Sequence, residues 1–178
     1  MSRPTHVYRR FIEFEELAAK IYLRLAARFP KNEYLGAFWL EMAMQEKQHA
    51  GLLQFCVEEG CFACDLPDTA GTEKIAELFK RLEERSANTQ LTIAGAFSLA
   101  IELETSEVNA IYRRLTSSLH NSTYLARRKI ATSLPDHVEE LVHAARQFGV
   151  ADQAIQTLSS LKESAGPRRG AATSETRP

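Results

Sequence analysis

The sequence predicts an all-α protein built as a four-helix bundle, and three observations carry that prediction. Four long segments repeat apolar residues at the helical period of 3.6, and period-two alternation is absent. Three of the four stop at helix breakers: Pro30, Gly60 and Gly149. The segments also form two similar halves. Glu15 precedes Tyr22 by seven residues and His49 by 34, and Glu104 precedes Tyr112 by eight and His137 by 33. Two similar hairpins joined by a crossover make a four-helix bundle.

The first helix is expected from Tyr8 to Phe29, with the seam Phe11, Glu15, Ala18, Tyr22, Leu25 and Phe29. A glutamate interrupts an otherwise apolar stripe. The second is expected from Asn32 to Glu59, and its seam runs Leu35, Trp39, Met42, Glu46, His49, Leu53 and Cys56. Glu46 and His49 are three apart, about 60° on a helical wheel, so both side chains point the same way. Cys61 to Asn88 reads as the crossover: Asp65–Asp68 has turn chemistry, and a short amphipathic helix is expected from Thr72, as its cap, to Arg85. The third bundle helix, Leu91 to His120, has the seam Phe97, Ala100, Glu104, Glu107, Ile111 and Leu115. The fourth, Ser122 to Phe148, has Ile130, Leu134, His137, Leu141 and Phe148. Within it Pro135 would remove a helix hydrogen bond, unless Ser133 caps a new helix there with Asp136 completing the box. An extra C-terminal helix is expected over Ala151–Glu163. The domain then spans 1–164, and the polar Gly/Pro/Ser/Thr/Arg-rich tail 165–178 is expected to be disordered.

With 178 residues, 44% of them apolar and 25% charged, the chain suits one soluble globular domain with a full core. A net charge of −1 offers no electrostatic reason for a nucleic-acid or anionic-membrane partner. No apolar run approaches the roughly 18 residues of a membrane span, and the first ten residues lack the apolar core of a signal peptide. Three cysteines, an odd number, fit a reducing compartment, so the expected location is cytoplasmic. Free loop thiols are the default for Cys61 and Cys64; a thiol redox pair, or a three-sulfur site with Cys56, is the alternative.

The chemistry lies in the interruptions of the seams. Glu15, Glu46, His49, Glu104, Glu107 and His137 gather four carboxylates and two imidazoles on one level of the bundle. Uncompensated, such carboxylates cost several kcal/mol each, enough to consume most of the roughly 5–15 kcal/mol that stabilises a domain. A divalent metal pair resolves this, since two M²⁺ ions balance four glutamates. Oxygen and imidazole donors without thiolate suit iron or manganese and also accept zinc. Taken alone, Glu46 with His49 reads equally well as a buried ion pair, and His137 as a core histidine bonded to a carbonyl. Tyr22 and Tyr112 are expected to be core residues whose hydroxyls bond site carboxylates.

This ordered set, Glu15 with Tyr22, Glu46-x-x-His49, Glu104 and Glu107 with Tyr112, and His137, resembles the rubrerythrin-like branch of the ferritin-like di-iron carboxylate proteins. The resemblance covers about Tyr8–Glu59 and Ala94–Phe148. It implies a non-haem di-iron centre reacting with peroxide or dioxygen as a peroxidase or ferroxidase, with an external electron donor and often a homodimer. There are two departures. Leu134 stands where the family's last bundle helix has a bridging glutamate, which leaves the second metal position one carboxylate short. The rubredoxin module, which needs two Cys-x-x-Cys pairs, is missing; only Cys61-Phe-Ala-Cys64 is present. The alternative function is a degenerate bundle that keeps one structural metal and acts as a non-catalytic binding or interaction module.

Overall fold

A computed structural model describes residues 5–62, 69–107, 124–152, 155–157 and 159–160, with side chains except at 5, 69, 70, 107, 124–127 and 130–136. Its long elements are all helices: α1 (Thr5–Arg28), α2 (Glu33–Glu58), α3 (Thr69–Ser86), α4 (Ile93–Glu107) and α5 (Tyr124–Gln147). The turn after α1 closes when the Asn32 N–H donates to the Phe29 carbonyl, at 3.0 Å. The Asn32 side-chain oxygen then accepts from the Leu35 N–H and caps α2. At the far end of α2, Gly60 adopts φ +64°, a left-handed conformation that glycine takes at little cost. Gly149, at φ +65°, ends α5 in the same way.

Two expected boundaries move. The crossover helix starts at Thr69 rather than Thr72, because residues 69–71 already take helical backbone. Thr72 is thereby carried inside the first turn, where it is buried. The α4 boundary is marked by Thr92, whose hydroxyl accepts from the Gly95 N–H at 3.1 Å. The restart at Ser133 does not occur, for α5 runs unbroken through Pro135. A mid-helix proline costs about 3 kcal/mol. The turns beyond it bury His137, Val138, Leu141 and Ala145 against the bundle, and burying even one leucine-sized side chain contributes a comparable amount.

The seams meet as their spacing requires. Phe11, Ala18, Tyr22 and Leu25 of α1, Leu35, Trp39 and Met42 of α2, and Phe97 and Ala100 of α4 have no exposed surface. Helix α1 packs along α2, α5 lies against α2, and α3 lies against both α1 and α4. Aromatic contacts join the layers. Trp39 stacks on Tyr22 at 5.7 Å and meets Phe97 at 4.9 Å, while Phe14 stacks on Phe79 of α3 at 5.1 Å. Outside, Glu83 of α3 pairs with Lys20 at 2.6 Å and Arg24 at 3.1 Å, and these cations, Lys20 foremost, hold its carboxyl below the usual range. Of the expected extra C-terminal helix, residues 155–157 and 159–160 are helical, and Ile155 packs onto the core. No helix among the described residues is long and apolar enough to cross a membrane. The turn at Asp65–Asp68, the continuation of the third bundle helix to His120 with Ile111, Tyr112 and Leu115, its neighbour Ser122, and the tail 165–178 lie outside the described residues.

Candidate metal centre

Four bundle helices each deliver an ionisable side chain to one interior level: Glu15 from α1, Glu46 and His49 from α2, Glu104 from α4 and His137 from α5. Glu15, Glu46 and Glu104 are fully buried, His137 is 1% exposed and His49 7%. Five of the six residues singled out by the seams are thus brought together. The side chain of the sixth, Glu107, lies outside the described residues, as do those of Leu134 and Ile130.

Glu46 is the hub. Its Oε2 lies 3.0 Å from His49 Nδ1, and its Oε1 lies 3.3 Å from His137 Nε2. Glu15 Oε2 approaches the same His49 nitrogen at 3.5 Å, and Glu104 Oε1 lies 3.0 Å from His137 Nε2. The two imidazole rings are 5.7 Å apart. Glu46, His49 and His137 each offer one ligand atom within 4.8 Å of the others, a spacing suited to a shared metal ion. From behind, the Tyr22 hydroxyl donates to Glu104 Oε1 at 2.6 Å, so the expected tyrosine–carboxylate bond is present and spans the two hairpins.

The ring contacts of His137 have ion-pair distances without hydrogen-bond geometry. Among the described residues, both oxygens of Glu15, Glu46 Oε1, Glu104 Oε2 and both nitrogens of His137 are buried with no hydrogen-bond partner. Leaving one buried polar atom unsatisfied costs about 1–3 kcal/mol, so this concentration at a single level calls for a species that the protein itself does not supply.

Without a cation, protons take that part. Burial pushes Glu15 up to about 8 against the pull of His49. Burial would raise Glu46 too, but His137 and His49 outweigh it and hold the carboxyl at about 2. Burial depresses both imidazoles. Glu15 and Glu46 nevertheless carry His49 up to about 10, and Glu104 with Glu46 carries His137 up to about 9. At neutral pH the metal-free cluster therefore holds two imidazolium cations and a protonated Glu15 around the Glu46 carboxylate.

His49 lines a surface cleft of about 340 Å³, together with Glu41, Gln45, Gln48, Leu52, Lys129 and Glu140. The seams gave no sign of this opening, since helical periodicity marks which residues face inward and not where neighbouring helices part. His6 and His143 are exposed and stand apart from the cluster. Cys61 is a free thiol just beyond α2, as expected, though it is buried; Cys56 within α2 is likewise free and buried, and Cys64 lies outside the described residues. A family model described as Rubrerythrin matches residues 10–146. No curated protein and no solved structure matches the chain.

Proposed function

The chain belongs to the rubrerythrin family, a ferritin-like di-iron family, and from that membership we propose that its buried carboxylate–imidazole cluster holds iron for the reduction of peroxide or dioxygen. The observation that carries the reading is the set of unpartnered buried atoms on Glu15, Glu46, Glu104 and His137. Such donors, oxygen and imidazole with no thiolate, fit iron or manganese. Glu46 would be the carboxylate shared by the two sides of the centre, because it alone of the five contacts both histidines. Glu15 and His49 would hold one side of the centre and Glu104 with His137 the other, and Glu107 would be the sixth ligand from its place three residues after Glu104. Bound there, an iron pair supplies the reversible electron transfer that peroxide reduction requires, with electrons from an external donor.

The chain's own groups set the conditions for that chemistry. Tyr22 fixes the orientation of the Glu104 carboxylate by its hydrogen bond. Trp39, stacked on Tyr22, and Phe97 beneath it close that side of the centre to water. The cleft beside His49 is the entrance, large enough for peroxide or dioxygen and too polar to favour a bulky apolar substrate. The expected homodimer would pack through the outward stripe of Leu40, Met44 and Phe55 on α2, which are 46%, 57% and 54% exposed.

The test is to load metal-free protein with ferrous iron without oxygen, count iron per chain, and follow peroxide consumption and the rise of near-ultraviolet absorption on oxidation. One to two irons per chain, consuming about one peroxide for every two ferrous ions, is expected, and Glu46→Ala should abolish both retention and turnover. A single retained metal with no peroxide consumption above free iron would support the non-catalytic module instead. No retained metal would end both readings.

A further inference from the structure

The C-terminal end of α2 places two thiols against each other. Gly60 N–H donates to the Val57 carbonyl at 3.4 Å, and Cys61 N–H donates to the Cys56 carbonyl at 2.8 Å. With Gly60 left-handed, this is the paired closure that commonly ends a helix, and it normally buries an apolar contact between its first and last residues. The end of α5 shows the ordinary form. There Gly149 N–H donates to the Arg146 carbonyl at 3.2 Å, Val150 N–H donates to the Ala145 carbonyl at 2.9 Å, and the buried pair is Ala145 with Val150. At α2 the same two positions hold Cys56, fully buried, and Cys61, 6% exposed, both as free thiols. Any small apolar pair would serve the closure, so its geometry does not require sulfur.

The closure does bring the two residues within bridging range. Linked through a 2.8 Å hydrogen bond, their Cα atoms can be no more than about 6.7 Å apart, given standard backbone dimensions. Disulfides span about 4.4–6.8 Å between Cα atoms. The thiols are also in hydrogen-bonding contact, and burial together with Cys61 pushes Cys56 up to about 12. Cys56 is therefore the poorer initial nucleophile, and Cys61 is the one with some exposure.

We propose that Cys56 and Cys61 form a two-electron dithiol that closes to an intrachain disulfide when a hydroperoxide oxidises Cys61. The Cys61 sulfur attacks the O–O bond of hydrogen peroxide, which breaks to leave a sulfenic acid and one water. The Cys56 sulfur then displaces the Cys61 hydroxyl; the S–S bond forms, the S–O bond breaks, and the hydroxyl leaves as a second water with the Cys56 proton. Two thiols have lost two electrons and two protons, and one peroxide has become two waters. An external dithiol reverses the step. Cys56 lies seven residues beyond His49 on α2, about 10.5 Å along the axis, and Cys61 lies past the helix end, so the closure needs no change at His49.

The experiment uses the full chain with Cys64→Ser, which removes the competing Cys61-x-x-Cys64 pairing. Reduced protein is treated with stoichiometric hydrogen peroxide, the remaining thiols are alkylated, and intact mass and peptide maps are recorded. Most chains are expected to lose about 2 Da and both alkylatable thiols, with both restored by dithiothreitol. In a Cys56→Ala variant, whose alanine matches the closure at α5, the mass loss should vanish and excess peroxide should carry Cys61 to sulfinic acid. The proposal is overturned if Cys56 and Cys61 stay alkylatable in the Cys64→Ser protein. It is equally overturned if wild-type chains yield a Cys61–Cys64 disulfide in place of Cys56–Cys61.

Discussion

Iron binding should release close to three protons per chain at pH 7. His49 and His137, carried up to about 10 and 9, and Glu15, raised to about 8, all hold a proton in the metal-free cluster at that pH. Each must lose it to become a ligand, whereas Glu46, held at about 2, is ready-made. Each displaced proton makes the binding constant tenfold larger per pH unit, so between pH 6.5 and 7.5 affinity should rise by up to about a thousandfold. Above pH 8 the slope should fall toward two, because Glu15 has by then given up its proton. The stability of the metal-free protein moves the opposite way. All three groups have folded values above their unfolded ones, so what they contribute is present at low pH and is lost as pH rises, through 8 for Glu15, 9 for His137 and 10 for His49. The gap in melting temperature between loaded and metal-free protein should therefore widen from pH 6.5 to 9. Calorimetric titration in buffers of different ionisation enthalpy counts the protons directly. A release of one or fewer at pH 7, with affinity flat between pH 6.5 and 7.5, would refute the argument that protons occupy the place of the metal.

Tyr22→Phe deletes the 2.6 Å bond to Glu104 and leaves a buried carboxylate short of its donor, which should cost about 1.5–3 kcal/mol in denaturant melts of the metal-free protein and lower iron retention. A Tyr22→Phe protein melting like wild type would show that Glu104 turns to another donor. Leu134 stands three residues before His137 on the unbroken α5, so Leu134→Glu should add a carboxylate on the same face, raise iron toward two per chain and lower the midpoint potential of the pair. Unchanged stoichiometry and potential together would mean that position 134 does not reach the centre. Placing charge on the outward stripe of α2 with Leu40→Glu and Met44→Glu should convert a dimer to a monomer in analytical ultracentrifugation, and a wild-type monomer would remove the dimer from the reading.

Most of the fold and the membership of the site are legible because both follow from one constraint, the seam. A residue such as Glu46, between Met42 and Leu53 on an apolar stripe, must be buried if the helix packs at all, and a buried carboxylate must find a counter-charge. The same argument placed Glu15, His49, Glu104 and His137, and all five meet at one level. A local signal misled where it competed with packing. Ser133-Leu-Pro-Asp136 has the chemistry of a helix start, yet the apolar face that continues from Val138 to Ala145 holds α5 together across the proline.

What periodicity leaves unread is contact between particular atoms. A wheel states that Glu46 and His49 share a face, but it contains neither rotamer nor axial offset. The bridge from Glu46 to His137 and the bond from Tyr22 across the hairpins to Glu104 are settled by how the helices slide against one another. The cysteine pair is a different case, because its signal is local and present in the sequence. A glycine that ends a helix in the left-handed conformation ties the residue four before it to the residue one after it by a backbone hydrogen bond. Applied to Gly60, that rule names Cys56 and Cys61. Spacing within the loop draws attention to Cys61 and Cys64 instead, since Cys-x-x-Cys is the more familiar pattern. The backbone geometry of the helix end is the stronger guide, for it fixes a distance where a spacing motif fixes only an order along the chain.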